Sequence, residues 1–290
     1  MTLMPSALEA TRLRSSARLV ARAVLALLLL AAAALGGAAP AAAAGCSRPI
    51  RVATSPIGLL MTVDYDGTVG GPDRAFLNLV GQRTGCDFRY DIMSRARAFQ
   101  LMASGETDIV PSAIRTQQRD ALGDLVVFYH TRALLITLRD RQVKIRDTAS
   151  FVASGLMLDL VRGYDYGGAY RGLEDAMAAK GRLSENVDPA AIARKLQAER
   201  TDATIMSAQA FSQEALAVGI ADKVALTPLD DLPAFDTGIY IVRRGLDPAD
   251  AALLAAGMRA VVAEGTYTAL VRAAFGQPRW ALDGVEFVNE

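Results

Sequence analysis

The chain has 290 residues, 31 basic against 31 acidic, one histidine, two cysteines and 52% hydrophobic residues. It carries no basic stripe for nucleic acid and no polybasic segment for an anionic membrane, so partners held by bulk charge are excluded. A single histidine likewise excludes His-rich metal sites and any mechanism that needs two imidazoles.

The first segment reads as an export signal. Arg12, Arg14, Arg18 and Arg22 precede the apolar run Ala23 to Ala34, and the small-residue tract Leu35 to Gly45 follows. A basic region, an apolar region and an Ala-x-Ala end make a cleavable secretory signal over residues 1–44. The run is too short and Ala-rich for a membrane span, which wants about 20 strongly apolar residues. An uncleaved anchor is the alternative. Without the four arginines and Glu9 of this segment, 27 basic residues face 30 acidic ones, so the mature protein is mildly acidic.

From Arg51 onward, short β-branched runs alternate with amphipathic stretches, the pattern of an α/β protein. Ile50 to Thr54 is a strand, Ser55 to Pro72 a Gly/Pro-rich loop, and Asp73 to Arg83 a helix that Gly85 stops. Strand Phe88 to Ile92, helix Arg95 to Ser104 and buried strand Thr107 to Val110 follow, with Pro111 marking the exit. Thr116 caps a short helix ending near Leu122, and Leu125 to Leu138 is a long β-rich segment suited to crossing between lobes.

A second unit begins near Arg139. It holds strand Leu156 to Val161, helix Gly168 to Lys180, helix Ala190 to Arg200 behind Pro189, and strand Ala203 to Met206. Helix Ala208 to Val218 and strand Lys223 to Leu226 complete it, and Thr237 to Arg243 is the natural return crossover. Helices Pro248 to Glu264 and Thr266 to Phe275 and a tail through Trp280 close the chain. Two βα units joined by two crossovers imply two lobes and a hinged cleft, where ligands commonly bind. The expected division is residues 45–133 with 237–290 as the larger, discontinuous lobe, and 134–236 as the inserted, smaller one.

The cysteines, Cys46 and Cys86, each precede a predicted strand. If those strands lie parallel and adjacent, their starting ends are neighbours and a disulfide is within reach. An oxidising compartment favours it. The competing reading takes Ala43-Ala44-Gly45-Cys46 as a lipidated end, which would leave Cys86 alone.

Gly67-Thr68-Val69-Gly70, Thr84-Gly85-Cys86, Ser104-Gly105-Glu106-Thr107-Asp108-Ile109 and Thr116-Gln117-Gln118-Arg119 occur in that order. Phe128-Tyr129, Glu199-Arg200-Thr201-Asp202-Ala203, Glu264-Gly265-Thr266-Tyr267 and Ala274-Phe275-Gly276 follow. In these motifs, spread over Ile50 to Gly276, the chain resembles the family 3 extracellular solute-binding proteins, the amino-acid-binding receptors of ABC importers. The resemblance implies a two-lobed periplasmic-binding-protein fold of type II. It also implies a monomer that uses no cofactor, captures an anionic or zwitterionic small molecule, and delivers it to an inner-membrane ABC permease.

Arg119 is the first candidate site residue. A cation in the first turn of a helix opposes the macrodipole, and a bound anion supplies a reason for it. In the similar proteins the Arg of this Thr-x-x-Arg motif grips the ligand's α-carboxylate. The plainer reading pairs Arg119 with Asp120 or Asp124. The strand exit Pro111 to Ile114 is expected to line the same cleft with backbone carbonyls and Ser112. In the second unit, Tyr164, Asp165 and Tyr166 stand between strand and helix. There glycines let backbone N–H groups approach a ligand, the tyrosines wall the cleft, and Asp165 either caps the helix or meets a cation. An ordinary strand-to-helix turn is the alternative.

Two positions depart from the family. The Asp that often holds a ligand's ammonium group corresponds to Ser207, and the hydroxyl that usually assists the carboxylate corresponds to Ile114. The ammonium grip is therefore missing or relocated, to Asp165 or Asp73. Arg95 and Arg97 open a helix that faces the cleft in similar proteins and would add a second anion contact, although solvated helix-face charges explain them equally well. Asp64, Tyr65 and Asp66 reach either a ligand or only their own turn; Phe128 and Tyr129 are expected in hinge packing, and His130 as a packed or surface residue. No GxSxG, P-loop or strand-linked GxGxxG pattern appears, so no catalytic residue is expected. The enzymatic alternative on this fold is a cyclohexadienyl-dehydratase-like lyase using cleft carboxylates; a sensor or scaffold subunit is the other.

Overall fold

In a computed structural model of the chain, residues 45–139 and 144–289 are described. The expected signal segment lies outside the described residues. Residues 45–290 form one compact unit. Among the described residues no helix is long and apolar enough to cross a membrane.

Two sheets organise this unit. The first contains β1 (Ile50–Thr54), β4 (Phe88–Ile92), β5 (Ile109–Ile114), β6 (Gly123–Thr131), β12 (Phe235–Val242) and β13 (Glu286–Phe287), in the order β13-β6-β12-β5-β1-β4. The second contains β7 (Leu134–Leu138), β8 (Leu158–Val161), β9 (Leu183–Asn186), β10 (Ala203–Met206) and β11 (Val224–Pro228), in the order β11-β7-β10-β8-β9. A small hairpin of β2 (Thr62–Val63) and β3 (Val69–Gly70) stands within the expected first loop.

In the first sheet β4, β1 and β5 run parallel, and in the second β9, β8 and β10 do. Parallel neighbours need covering helices on both faces, which explains the near-continuous apolar runs of β1, β5, β8 and β10. The Pro72–Thr84 helix starts with proline in its first turn, stops at Gly85 in the left-handed conformation, and buries Phe76, Leu77 and Val80. Phe76, Phe128 and Tyr267 then meet with ring centroids 4.2–5.4 Å apart. Each such ring pair adds about 0.5–1.5 kcal/mol beyond its buried area.

The starting ends of the first sheet's parallel strands are fastened together. The register of Ile50 opposite Phe88 brings Cys46 and Cys86 side by side, and a disulfide joins them with Cα atoms 4.7 Å apart. Asp108, its side chain fully buried, accepts hydrogen bonds from the guanidinium groups of both Arg48 and Arg51. The opposite, C-terminal ends of these strands remain free to carry loops.

The chain passes between the sheets twice, from β6 to β7 through residues 132–133 and from β11 to β12 through 229–234. Because β6 and β12 are antiparallel partners, with Thr131 opposite Phe235, the two crossings leave side by side. The tail supplies a further tie. Trp280 donates from its indole to the Ala221 carbonyl at 2.9 Å, against the Ala208–Ala217 helix, before the chain returns to pair β13 with β6.

One strand differs from the sequence expectation in a way that shapes the site. β5 does not exit at Pro111 but runs on to Ile114. Proline has no N–H to give a ladder, and the pairing with β12 slips there: Ala113 faces Gly238, Val110 faces Tyr240, and two residues oppose one. Ser112, inside this bulge, adopts φ +46°.

Candidate functional site

The loops that follow the C-terminal ends of parallel strands in both sheets converge on one cavity of about 30 Å³. This is where open α/β sheets commonly hold ligands. From the first sheet come Arg95, Ser112, Ile114 and Arg119; from the second come Tyr164, Asp165, Tyr166, Ser207 and Gln209; the crossing strands add Thr131, Phe235 and Thr237.

Arg119 is 7% exposed. Its Nη1 donates to the Ile114 carbonyl at 2.9 Å and its Nη2 reaches the Gly163 carbonyl across the cleft at 3.5 Å. Its guanidinium lies over the Phe99 ring at 3.7 Å. The alternative pairing with Asp120 or Asp124 does not occur: Asp120 accepts from the Tyr240 hydroxyl and Asp124 from Arg243. The helix that was to supply free N–H groups is only the four residues Gln117–Asp120, and the Arg119 N–H is taken by the Thr116 side chain. The side chain, not the helix start, is what faces the cavity. Burial first, and then the neighbouring Arg95, push its pKa down to about 10. It is charged at neutral pH.

Arg95 is 6% exposed and belongs to the same site. Its guanidinium donates to the carbonyls of Pro111 at 2.9 Å and Ser112 at 2.7 Å, and burial lowers its pKa. The bulge thus turns carbonyl oxygens towards it. Among the described residues, neither Arg95 nor Arg119 has a carboxylate within salt-bridge distance. Arg97, by contrast, is not brought into the cavity. It sits exposed on the same helix, directed to Gln100, because the buried face there runs Arg95, Ala98, Met102.

Ser112 lines the cavity while its hydroxyl donates to Asp73 at 2.5 Å. Asp73 also accepts from the Tyr267 hydroxyl at 2.8 Å and lies fully buried behind Ser112. Burial pushes its pKa up to about 6 against the pull of those hydrogen bonds and of Arg95. On the other side, Asp165 lines the cavity but accepts from the Gly167 N–H at 2.9 Å and from Arg171 at 2.8 Å through both oxygens. It both holds the turn and meets a cation of its own chain. Asp73 and Asp165, the two candidates for a relocated ammonium grip, are thus both engaged.

Tyr166 walls the cavity and accepts from the Ser207 backbone N–H; Tyr164 stands edge-on to it at 6.2 Å between centroids. Ser207 begins the Ala208–Ala217 helix without a side-chain capping bond. Asp64, Tyr65 and Asp66 are not cavity residues: they form the exposed tip of the β2–β3 hairpin, where Asp66 holds the Thr68 N–H. His130 is an exposed residue bonded to Asp236 at 2.7 Å. Tyr129 does more than pack at the hinge, since its hydroxyl lines the cavity and meets Gln209 at 3.4 Å.

The cavity also contains residues that sequence reasoning missed. Thr131, Thr237 and Gln209 each present a buried side-chain oxygen with no hydrogen-bond partner, as does Tyr164, which the sequence had singled out. A buried unsatisfied group costs about 1–3 kcal/mol, so a cluster of them marks where polar atoms from outside are received. Thr131 and Thr237 lie on β-branched strands, and nothing in their local pattern singles them out. Arg95 was detectable, because it shares a helical face with Ala98 and Met102.

The lobes touch through glycine at two places. A Cβ on Gly163, at φ +88°, would stand 2.8 Å from Ala96 backbone atoms; one on Gly58 would stand 2.4 Å from the Gln209 carbonyl oxygen. Only glycine permits this approach. Among the described residues, no cluster of three or more His, Cys, Asp or Glu side chains is placed to hold a metal.

The family model of the bacterial extracellular solute-binding proteins, family 3, matches residues 50–277. Solved structures share the fold at low identity. The arginine-, lysine-, histidine-binding protein ArtJ from Geobacillus stearothermophilus is 15% identical, covering 80% of this chain and 97% of its own, with a TM-score of 0.64. An ABC uptake transporter substrate-binding protein from Streptococcus pneumoniae with bound histidine is 13% identical (79% and 93% covered, TM-score 0.65). A histidine kinase sensor domain with similarity to periplasmic binding proteins is 15% identical (79% and 96% covered, TM-score 0.63). No curated protein sequence matches.

Proposed function

The chain belongs to the family 3 bacterial extracellular solute-binding proteins, and from that premise we propose that it is a periplasmic receptor and not an enzyme. Residues 1–44 direct export and are removed. Residues 45–133 with 237–290 form one lobe, residues 134–236 the other, and a small carboxylate-bearing ligand is held between them. A monomer, the receptor delivers the ligand to an inner-membrane ABC importer.

The observation that carries this reading is the buried guanidinium of Arg119, in a cavity between the two sheets, with no carboxylate of its own. A buried charge without a counter-charge is costly, and an anion entering the cleft removes that cost. The ligand first meets Arg119 and Arg95. The second lobe then swings in about β6 and β12 and adds contacts from Tyr164, Tyr166, Ser207 and Gln209. Those contacts exist only in the shut state, so the ligand shifts the population towards it, and the permease reads that shape.

A thermal-shift panel of amino acids, carboxylic acids and polyamines tests this. A ligand present at a hundred times its dissociation constant adds about 2.7 kcal/mol to the folded state and raises the unfolding midpoint. The expected hit is a carboxylate, recovered chemically unchanged. A ligand returned altered would turn the reading towards the dehydratase-like lyases, and a panel in which only polyamines register would overturn it.

A further inference from the structure

The charges around the cavity point to a narrower ligand class than the family premise does. Two guanidinium groups, Arg95 and Arg119, line it without a carboxylate partner. The one acidic side chain in its wall, Asp165, is held through both oxygens by Arg171. Asp73 stands behind Ser112, fully buried and enclosed by Ser112 and Tyr267. At the start of the Ala208–Ala217 helix, the residue pointing at the cavity is Ser207, which is neutral. A ligand's ammonium group would therefore enter a wall with two guanidinium groups, where the nearest carboxylates, Asp73 and Asp165, already have partners of their own. Like charges brought together out of water cost several kcal/mol at close range, so an ammonium is not merely unsupported there but opposed.

What the wall does offer beside the arginines is neutral. Gln209 has an unsatisfied acceptor oxygen, and the Thr131, Thr237 and Tyr164 hydroxyls can each donate or accept. A hydroxyl on the ligand satisfies such a set: it donates to Gln209 Oε1 and accepts from a threonine or tyrosine.

We propose that the cleft selects a small hydroxycarboxylic acid, with one or two carboxylates and no ammonium group, over the amino acid of the same shape. Arg119 and Arg95 take the carboxylate oxygens, and the Gln209, Thr131, Thr237 and Tyr164 groups take the hydroxyl. This rests on the receptor reading above.

Matched pairs that differ only by hydroxyl against ammonium make the test: malate with aspartate, lactate with alanine, glycerate with serine. Each is titrated calorimetrically into the protein expressed from the full chain. In at least one pair the hydroxy acid is expected to bind ten times more tightly or better. The variant Ser207→Asp restores an acidic side chain at the cavity and should shift the malate-to-aspartate affinity ratio at least tenfold towards aspartate. If the amino acid of any binding pair equals or exceeds its hydroxy partner, the inference fails. It fails also if no member of any pair binds. The receptor reading survives either failure if another carboxylate binds in an Arg119-dependent way, and falls with the inference if none does.

Discussion

Replacing Asp73 by asparagine should remove a pH dependence of stability that the burial of this carboxyl creates. Asp73 has no access to solvent, accepts hydrogen bonds from Ser112 and Tyr267, and has its pKa raised by burial from 3.8 to about 6. Between those two values the folded state holds the proton and the unfolded state has lost it, so the native state binds more protons and stability falls as pH rises. The contribution is complete below about pH 4 and lost above about pH 6. A shift of about 2 units corresponds to about 3 kcal/mol. Asparagine keeps the shape, accepts from Tyr267, donates to the Ser112 hydroxyl, and never ionises. Asp73→Asn should therefore match the wild type near pH 4 and exceed its stability by up to about 3 kcal/mol at pH 7.5. Urea unfolding of both proteins from pH 4 to 8 measures the difference directly, since every other titrating group is common to both. A difference that stays constant across that range would refute the reasoning.

Three further changes test other parts of the account. Removing the disulfide with Cys46→Ser and Cys86→Ser frees a loop closed over a sequence separation of 40, which chain-entropy reasoning puts at about 4 kcal/mol; an unchanged urea midpoint would contradict it. Asp108→Asn leaves Arg48 and Arg51 without their shared counter-charge. Both arginines keep partial access to water, so the expected loss is about 2 kcal/mol at pH 7, below the roughly 3–5 of a fully buried pair. Because these arginines hold the Asp108 pKa well below the usual carboxylate range, against the opposing effect of burial, the wild-type advantage should be present above about pH 4 and shrink steadily as pH falls further; an advantage undiminished at pH 2 would contradict this. Gly163→Ala places a methyl group against Ala96 and strains a φ of +88°, so closure is penalised. Ligand affinity should fall at least tenfold, with a loss of about 1 kcal/mol in the stability of the ligand-free protein from the strained φ, and undiminished affinity would show that the two sides do not meet there.

The parts of the fold legible from sequence are those whose boundaries are chemical. β1, β4 and β10 keep the bounds read from their short β-forming stretches, and the Arg95–Ser104 helix runs between its Ser94 cap and Gly105. β9 escaped notice because Leu183-Ser184-Glu185-Asn186 offers one apolar residue, which suffices for an edge strand but makes no periodic signal. The Thr148–Ala153 helix is too short for periodicity and is held by a capping box between Asp147 and Ser150. At the site, local chemistry picked out Arg119 and the Tyr164 to Tyr166 turn. The phase of a helix decided between Arg95 and Arg97, and only the packing of two sheets could bring Thr131, Thr237 and Gln209 to the same cavity. Pro111 misled because proline ordinarily ends a strand; here the bulge it occupies is what aims the Pro111 and Ser112 carbonyls at Arg95.

The most direct test of the central claim is a calorimetric titration of the best carboxylate from the panel into the wild type and into Arg119→Ala. A charged contact removed from a desolvated site costs about 2–5 kcal/mol. The account predicts saturable one-to-one binding to the wild type and a loss of at least about thirtyfold in the variant, with both proteins folded by circular dichroism. Equal affinity in the two proteins would place the ligand elsewhere and contradict the account.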